Sequence, residues 1–179
     1  MKEIINHPIQ FSIPTNRILN ESVDKEHCFS HISPGKSKYS FETEDEYYRH
    51  YASCYFAVTR EKAGWDCMRH YEILASGCVP YFLDLENCPK DTMFRLPKKL
   101  LMSFRKLPGM PSYEEVVTHA ERDDLWNLSF NWDKFDKDRY FELLDELKSY
   151  TKSHLTTKSM AEYFVDKLPY EVNRVLFVS

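Results

Sequence analysis

The stretch "CYFAVTREKAGWDCMRHYEILASGCVPYFLDL" (Cys54 to Leu85) constrains the fold more than any other part of the chain. It opens on a compact apolar run of strand type, Cys54 to Thr59, and closes on another, Cys78 to Leu85, which is nearly all apolar and delivers Asp84 and then Glu86 at its end. Between the two, a helix is expected from Asp66, a residue suited to an N-cap, to Ser76, with Gly77 at the position that favours a left-handed turn. Strand, helix and strand within about 30 residues make a βαβ unit, whose strands run parallel and whose crossover is right-handed.

On a projection of about 100° per residue, Leu74, Cys67, Tyr71, Ala75 and Met68 share an apolar arc of that helix. Glu72, Ser76, Arg69, Asp66 and His70 share the polar arc, with Ile73 the exception among them. Arg69 and Glu72 are neighbours three positions apart on the polar side.

The rest of the chain fits around this unit. The segment "PIQFSIP" (Pro8 to Pro14) alternates between two prolines like a short strand, and "HCFSHISPG" (His27 to Gly35) does the same before a Pro34-Gly35 turn. Thr43 followed by Glu46 is a capping-box pattern and places a helix from about Glu44 to Ala52. Pro97 suits the first position of a helix through "KKLLMSFRKL", and Ser112 starts another. Tyr140, Phe141, Leu144, Leu147 and Tyr150 repeat at helical spacing from Asp138, and Thr157 to Leu168 adds a last capped helix. The expectation is a single α/β domain over 1–179, Rossmann-like, with a parallel sheet flanked by helices and a helical C-terminal portion. The closing "RVLFVS" (Arg174 to Ser179) has strand character, and reads as the start of a further strand or domain.

A hydrophobic share of 42%, with 15% aromatic, supplies a real core. The net charge of −4 gives no footprint for nucleic acid, so any bound phosphate is expected to be small and locally held. No apolar run approaches a membrane span and no leader pattern opens the chain, so the cytosol is the expected compartment. Five cysteines without framework spacing read as reduced thiols.

Three chemistries compete for the strip. Cys67, His70, Cys78 and Cys88 are zinc-type ligands but lack the tight Cys-x2-4-Cys knuckle of structural zinc sites, so no metal is expected. Cys67, near a helix N-terminus and beside His70, has the neighbours of a nucleophile, whereas its apolar arc points to an ordinary buried thiol. The third reading is a phosphate and ribose pocket, because open parallel sheets bind ligands beyond the carboxyl ends of their strands. The loop "TREKAGW" (Thr59 to Trp65) leaves such a strand end with Arg60, Lys62 and a flexible Gly64, a set able to hold a diphosphate through charge-assisted hydrogen bonds. Arg69 adds a bidentate contact and Glu72 an acceptor for sugar hydroxyls. The same pair also suits a surface ion pair worth about 0.2–0.5 kcal/mol.

The strip from Cys54 to Pro89 resembles the donor-half signature of glycosyltransferases of the GT-B fold, especially the exostosin-like group. In that signature a strand and a basic loop lead into a helix of the form Arg-x-x-Glu-Ala/Ile-Leu-x-x-Gly-Cys-x-Pro, then an apolar strand. Arg69, Glu72, Ile73, Leu74, Gly77, Cys78 and Pro80 match it, over a stretch of about a fifth of the chain. The resemblance implies an enzyme that moves a sugar from a nucleotide-diphosphate sugar to a carbohydrate or other hydroxyl acceptor. It puts Glu72 on the ribose hydroxyls and Arg69 and Lys62 near the diphosphate. It also implies a metal-independent mechanism in which the nucleotide sugar is substrate and no further cofactor is needed. The donor-binding set is thus Thr59, Arg60, Lys62, Gly64, Trp65, Arg69 and Glu72. Two features depart from the family. Where many of its members carry a first Glu, eight positions before the ribose Glu, this chain has Gly64, with Glu61 and Asp66 close by. The family also uses two Rossmann-like halves, and only one is visible here, so the general base is expected from a second half. A non-catalytic nucleotide- or sugar-binding module and a small zinc-stabilised interaction domain are the rival readings.

Overall fold

The computed structural model describes residues 7–21, 23–35 and 41–168. Three parallel strands, β1 (His27–Phe29), β2 (Cys54–Thr59) and β3 (Val79–Phe82), lie side by side in chain order. His27 pairs with Cys54 and Phe29 with Phe56 on one side of β2, while Phe56 to Thr59 pair with Val79 to Phe82 on the other. Every residue of β2 is buried, as a central strand covered on both faces requires. Six α-helices accompany the sheet among the described residues: α1 (Glu44–Ala52), α2 (Met68–Ala75), α3 (Lys98–Phe104), α4 (Tyr113–Arg122), α5 (Lys137–His154) and α6 (Thr157–Lys167). The chain is therefore an α/β domain, with α1 and α2 as the two crossovers and the helical portion C-terminal to the sheet.

The helices α1, α4, α5 and α6 begin where side chains satisfy their free N–H groups. Thr43 Oγ1 accepts from Glu46 N at 3.2 Å, and the Glu46 carboxylate reaches Glu42 N, one residue before the cap. Ser112 and Glu115 form a full reciprocal box, with Ser112 Oγ accepting from Glu115 N and Glu115 Oε2 from Ser112 N. Asp136 and Thr156 cap α5 and α6. Pro97 stands one place earlier than expected, as the N-cap of α3. The end of α2 follows from Gly77, whose φ of +70° suits a residue without Cβ. Gly77 N donates to Leu74 O and Cys78 N to Ile73 O, which closes a Schellman motif, and the Cys78 and Ile73 side chains meet in one core cluster.

Other expectations change as well. The segment Pro8 to Pro14 is not a strand: Ile13 makes a single parallel bridge to Thr156 at the head of α6. β1 stops at Phe29, well before Gly35, and β3 stops at Phe82, where Leu83 N makes the last bond to Thr59 O before the chain turns. The helix α2 starts at Met68 and not at Asp66, because the Asp66 carboxylate is drawn away by Phe11 N (2.8 Å) and the Tyr71 hydroxyl (2.9 Å). Its polar arc is also partly interior. His70 and Ser76 are buried along with Ile73, since α2 packs between the sheet, α1 and α5. The stretch "RVLFVS" lies outside the described residues.

A large aromatic core fills the space between sheet and helices. Tyr140 on α5 is buried between Tyr55, Phe56, Phe104 and Phe135 and donates to Tyr55 O at 2.9 Å. Gly109 has a φ of +78°, and a Cβ there would lie 2.5 Å from Phe135 N and 2.6 Å from Asn131 O, so only glycine fits that junction. No described helix is long and apolar enough to cross a membrane. All five cysteines are free.

The outer edge of β1 is covered by the segment that follows α4. Its short 3-10 turn Leu125–Asn127 packs on the strand, and Ser129 Oγ lies 3.8 Å from Cys28 Sγ. Trp126 of that turn sits 4.0 Å from the His27 ring, and His31 and His50 complete an aromatic cluster with ring centres 4.2 Å apart. His50 Nε2 meets Ser30 Oγ at 2.8 Å. Burial first, then His31 and His27, pushes the His50 pKa down to about 4, and burial also lowers that of His31, partly offset by Asp123.

At the opposite end of the sheet from the strand carboxyl ends, Lys25 binds three backbone carbonyls. Its Nζ donates to Ala52 O (2.8 Å), Cys54 O (2.9 Å) and Gly77 O (2.7 Å). Two of these close the negative ends of α1 and α2, where unpaired carbonyls collect. Burial pulls the lysine pKa below its ordinary 10.5.

Two outcomes follow. Lys25→Met should destabilise the fold by about 2–4 kcal/mol, because it strands three carbonyls, and urea denaturation reads the loss. Stability should also fall as the pH drops from about 6.5 toward 4. His50 takes up protons in the unfolded chain near 6.5 but in the folded chain only near about 4, so the unfolded state binds the excess protons in that window. Urea midpoints from pH 8 to pH 4 measure the slope, and His50→Gln should flatten it.

Candidate functional site

A cleft of about 200 Å³ opens at the carboxyl end of β2. It gathers Thr59, Arg60, Lys62, Gly64 and Arg69, together with Pro34, Ala63, Asp66 and Cys67. Larger hollows lie elsewhere, among them one of about 410 Å³ between the segment 16–23 and α1. Another, of about 600 Å³, is at the Lys25 end of the sheet, and one, of about 770 Å³, runs between α3 and α5. None of them combines several cations with a strand's carboxyl end and a helix N-terminus, so the smaller cleft has the chemistry of an anion site.

Thr59 is the last residue of β2, and the following loop carries Arg60 and Lys62 outward before α2 returns Arg69 to the same hollow. Lys62 N lies 3.5 Å from Gly64 O, closing a tight turn. On the β1 side, Gly35 has a φ of +90°, and the Lys62 stem runs over it, with Cε 3.1 Å from where a Cβ would stand. The Pro34-Gly35 turn thus forms one wall of the cleft.

Two residues of the expected set lie apart from the cleft. Trp65 is half-buried against the main core and contributes its carbonyl to the loop's anchoring, not its ring to the hollow. Glu72 is half-buried and turned toward α1, where its Oε2 accepts from the Tyr47 hydroxyl at 2.9 Å. Burial first, then Tyr51 and Glu72, raises the Tyr47 pKa, so the phenol stays protonated and keeps donating. Arg69 and Glu72 therefore serve different surroundings.

The hydrogen bonds of His70 determine its protonation. Nε2 lies 2.8 Å from Trp65 O, a carbonyl that only accepts, so Nε2 carries the proton. Nδ1 is then the acceptor for Thr59 Oγ1 at 3.2 Å. Burial lowers the His70 pKa, which keeps the ring neutral. Cys67 Sγ is 3.4 Å from the protonated Nε2, which cannot take its proton. Burial also raises the thiol pKa, against a smaller opposing pull from the His70 and Arg69 amides. The Cys67–His70 pair is thus a structural contact and not an activated nucleophile.

Of the zinc-type residues, Cys67 and His70 meet, but Cys78 is fully buried in the core cluster with Ile73 and Tyr51. Among the described residues no three His, Cys, Asp or Glu side chains converge in a metal-holding group. Among the described residues the cleft has no poised base: both Asp66 oxygens accept from protein donors and both His70 nitrogens are committed. What it offers is charge-assisted binding of an anion by Arg60, Lys62 and Arg69.

Sequence reasoning missed Pro34, Ala63, Asp66 and Cys67 as walls of the cleft. The signal for Pro34 was available, since parallel neighbours β1 and β2 deliver their following loops to the same rim. No protein-family model, curated protein or solved structure matches this chain. Fold and site together define an α/β domain with a basic cleft at the carboxyl rim of a parallel sheet.

A protonated, half-buried thiol reacts slowly. Cys67 should be alkylated by iodoacetamide at pH 7.5 at least about tenfold more slowly than a free cysteine, and peptide mapping of a time course checks the rate.

Proposed function

We propose that this chain is a Rossmann-like donor-binding domain of a glycosyltransferase, whose basic cleft takes the diphosphate of a nucleotide-diphosphate sugar. The observation that carries this reading is the convergence of Thr59, Arg60, Lys62, Gly64 and Arg69 on one hollow beyond the carboxyl end of the central strand. Cations and a helix N-terminus stabilise a leaving diphosphate without a divalent ion. The hollow has room for the phosphates, and the sugar and base extend over its rim. The general base and the hydroxyl acceptor, a carbohydrate in the first instance, come with a second Rossmann-like half that faces this rim. Free cysteines fit a reducing compartment, the cytosol.

A second reading, a nucleotide-binding module without turnover, draws on two observations. Glu72 is engaged by Tyr47 and does not line the cleft, and no base is poised there among the described residues. Under either reading the chain binds nucleoside diphosphates, and sugar transfer separates them.

At a ligand concentration about 100 times its Kd, the preferred nucleoside diphosphate among UDP, GDP, ADP and CDP should raise the Tm by about 5–10 °C. Arg69→Ala and Lys62→Ala should each weaken binding by roughly tenfold or more. A thermal-shift panel with calorimetric titration of the variants tests this. Equal responses from wild type and both variants would overturn the assignment of the cleft. Release of the sugar from the matching donor in the presence of a glycan acceptor supports transfer over simple binding.

A further inference from the structure

Asp84 stands at the carboxyl rim of β3 and takes no part in the anion contacts proposed above. Its Oδ2 nevertheless accepts from Glu61 N at 3.1 Å, across from one strand's end to the loop leaving the next. Its Oδ1 is buried and takes no hydrogen bond among the described residues. Shielding a carboxylate oxygen from water without a partner is costly. An apolar side chain there would avoid that cost, so fold stability alone does not account for Asp84.

The position of the accepted N–H supplies an account. Arg60 and Lys62, on either side of Glu61, both line the cleft, and Glu61 itself does not. Glu61 stands between the two cations, so fastening its amide to the rim holds in place the backbone that carries both of them at the hollow. The far end of the same loop is pinned as well, by the His70 bond to Trp65 O. The loop is thus fastened at both ends by side chains that leave the hollow to the cations.

We infer that Asp84 is a positioning residue, which holds the Glu61 backbone so that Arg60 and Lys62 are aligned for a bound phosphate group. This rests on the anion-binding reading of the cleft. A simple electrostatic role has the opposite sign. Removing a negative charge beside a cationic site strengthens anion binding by Coulomb's law, whereas removing an anchor weakens it.

The test is titration of inorganic pyrophosphate into the full chain at fixed ionic strength, for wild type, Asp84→Ala and Asp84→Asn. It is joined to amide hydrogen exchange of residues 60–66 and to the Tm of each variant. Asp84→Ala should bind roughly tenfold more weakly, the loss of one hydrogen bond to a charged acceptor, and its loop amides should exchange faster. Asp84→Asn keeps an oxygen for the Glu61 N–H and should restore binding to within about twofold of wild type, which a loss of charge cannot explain. If the alanine variant folds poorly, Asp84→Leu refills the space without an acceptor and carries the same expectation. Pyrophosphate binding by Asp84→Ala as tight as wild type or tighter overturns the inference, as does unchanged loop exchange. Absence of binding by wild type, with faster exchange in Asp84→Ala, removes the anion reading while upholding the anchor.

Discussion

One ammonium group holds the frame on which everything else is arranged. Lys25 closes the ends of α1 and α2 and the start of β2 with three short hydrogen bonds. Carbonyls at helix ends are the backbone groups least able to find partners inside a fold, and a cation is their best match. Tying both crossover helices at one end of the sheet leaves the opposite end free to open, and that is where the loops diverge around the basic cleft. Structure and chemistry are thus divided between the two ends of three short strands.

At the open end the protein uses neutral and acidic side chains to shape the backbone, while cations line the hollow. His70 is neutral and bonded on both nitrogens, Asp66 ties the N-terminal segment to α2, and Asp84 holds the loop at Glu61. None of these groups is left to do proton chemistry in the cleft. Arg60, Lys62 and Arg69 approach it from two elements, so the charge is concentrated by the fold and not by a run of basic residues. This explains how a chain of net charge −4 can still present a cationic site.

Much of the fold was legible because its signals are local. The apolar runs around α2, the Thr43 and Ser112 caps and the Gly77 terminus depend on residues within a few positions of one another, and those elements stand nearly where expected. What escaped was set by distant partners. Asp66 has the side chain of an N-cap, yet Phe11, far away in sequence, takes its oxygen. His70 falls on a polar arc, yet packing on both sides of α2 makes that arc interior. The site divided along the same line. Basic residues on one loop and the first turn of the helix could be placed together from spacing, while the turn of Glu72 toward Tyr47 depends on α1, which no helical projection of α2 includes.

The covering of β1 by the chain after α4 bears on how this molecule behaves in a crowd. An unpaired strand edge is a template on which another polypeptide can add itself. Here Trp126 and the turn around it lie over the strand with rings and loop atoms, so the flank offers a stranger's backbone little to grip. The bulk of that turn stands against self-association through that side of the sheet.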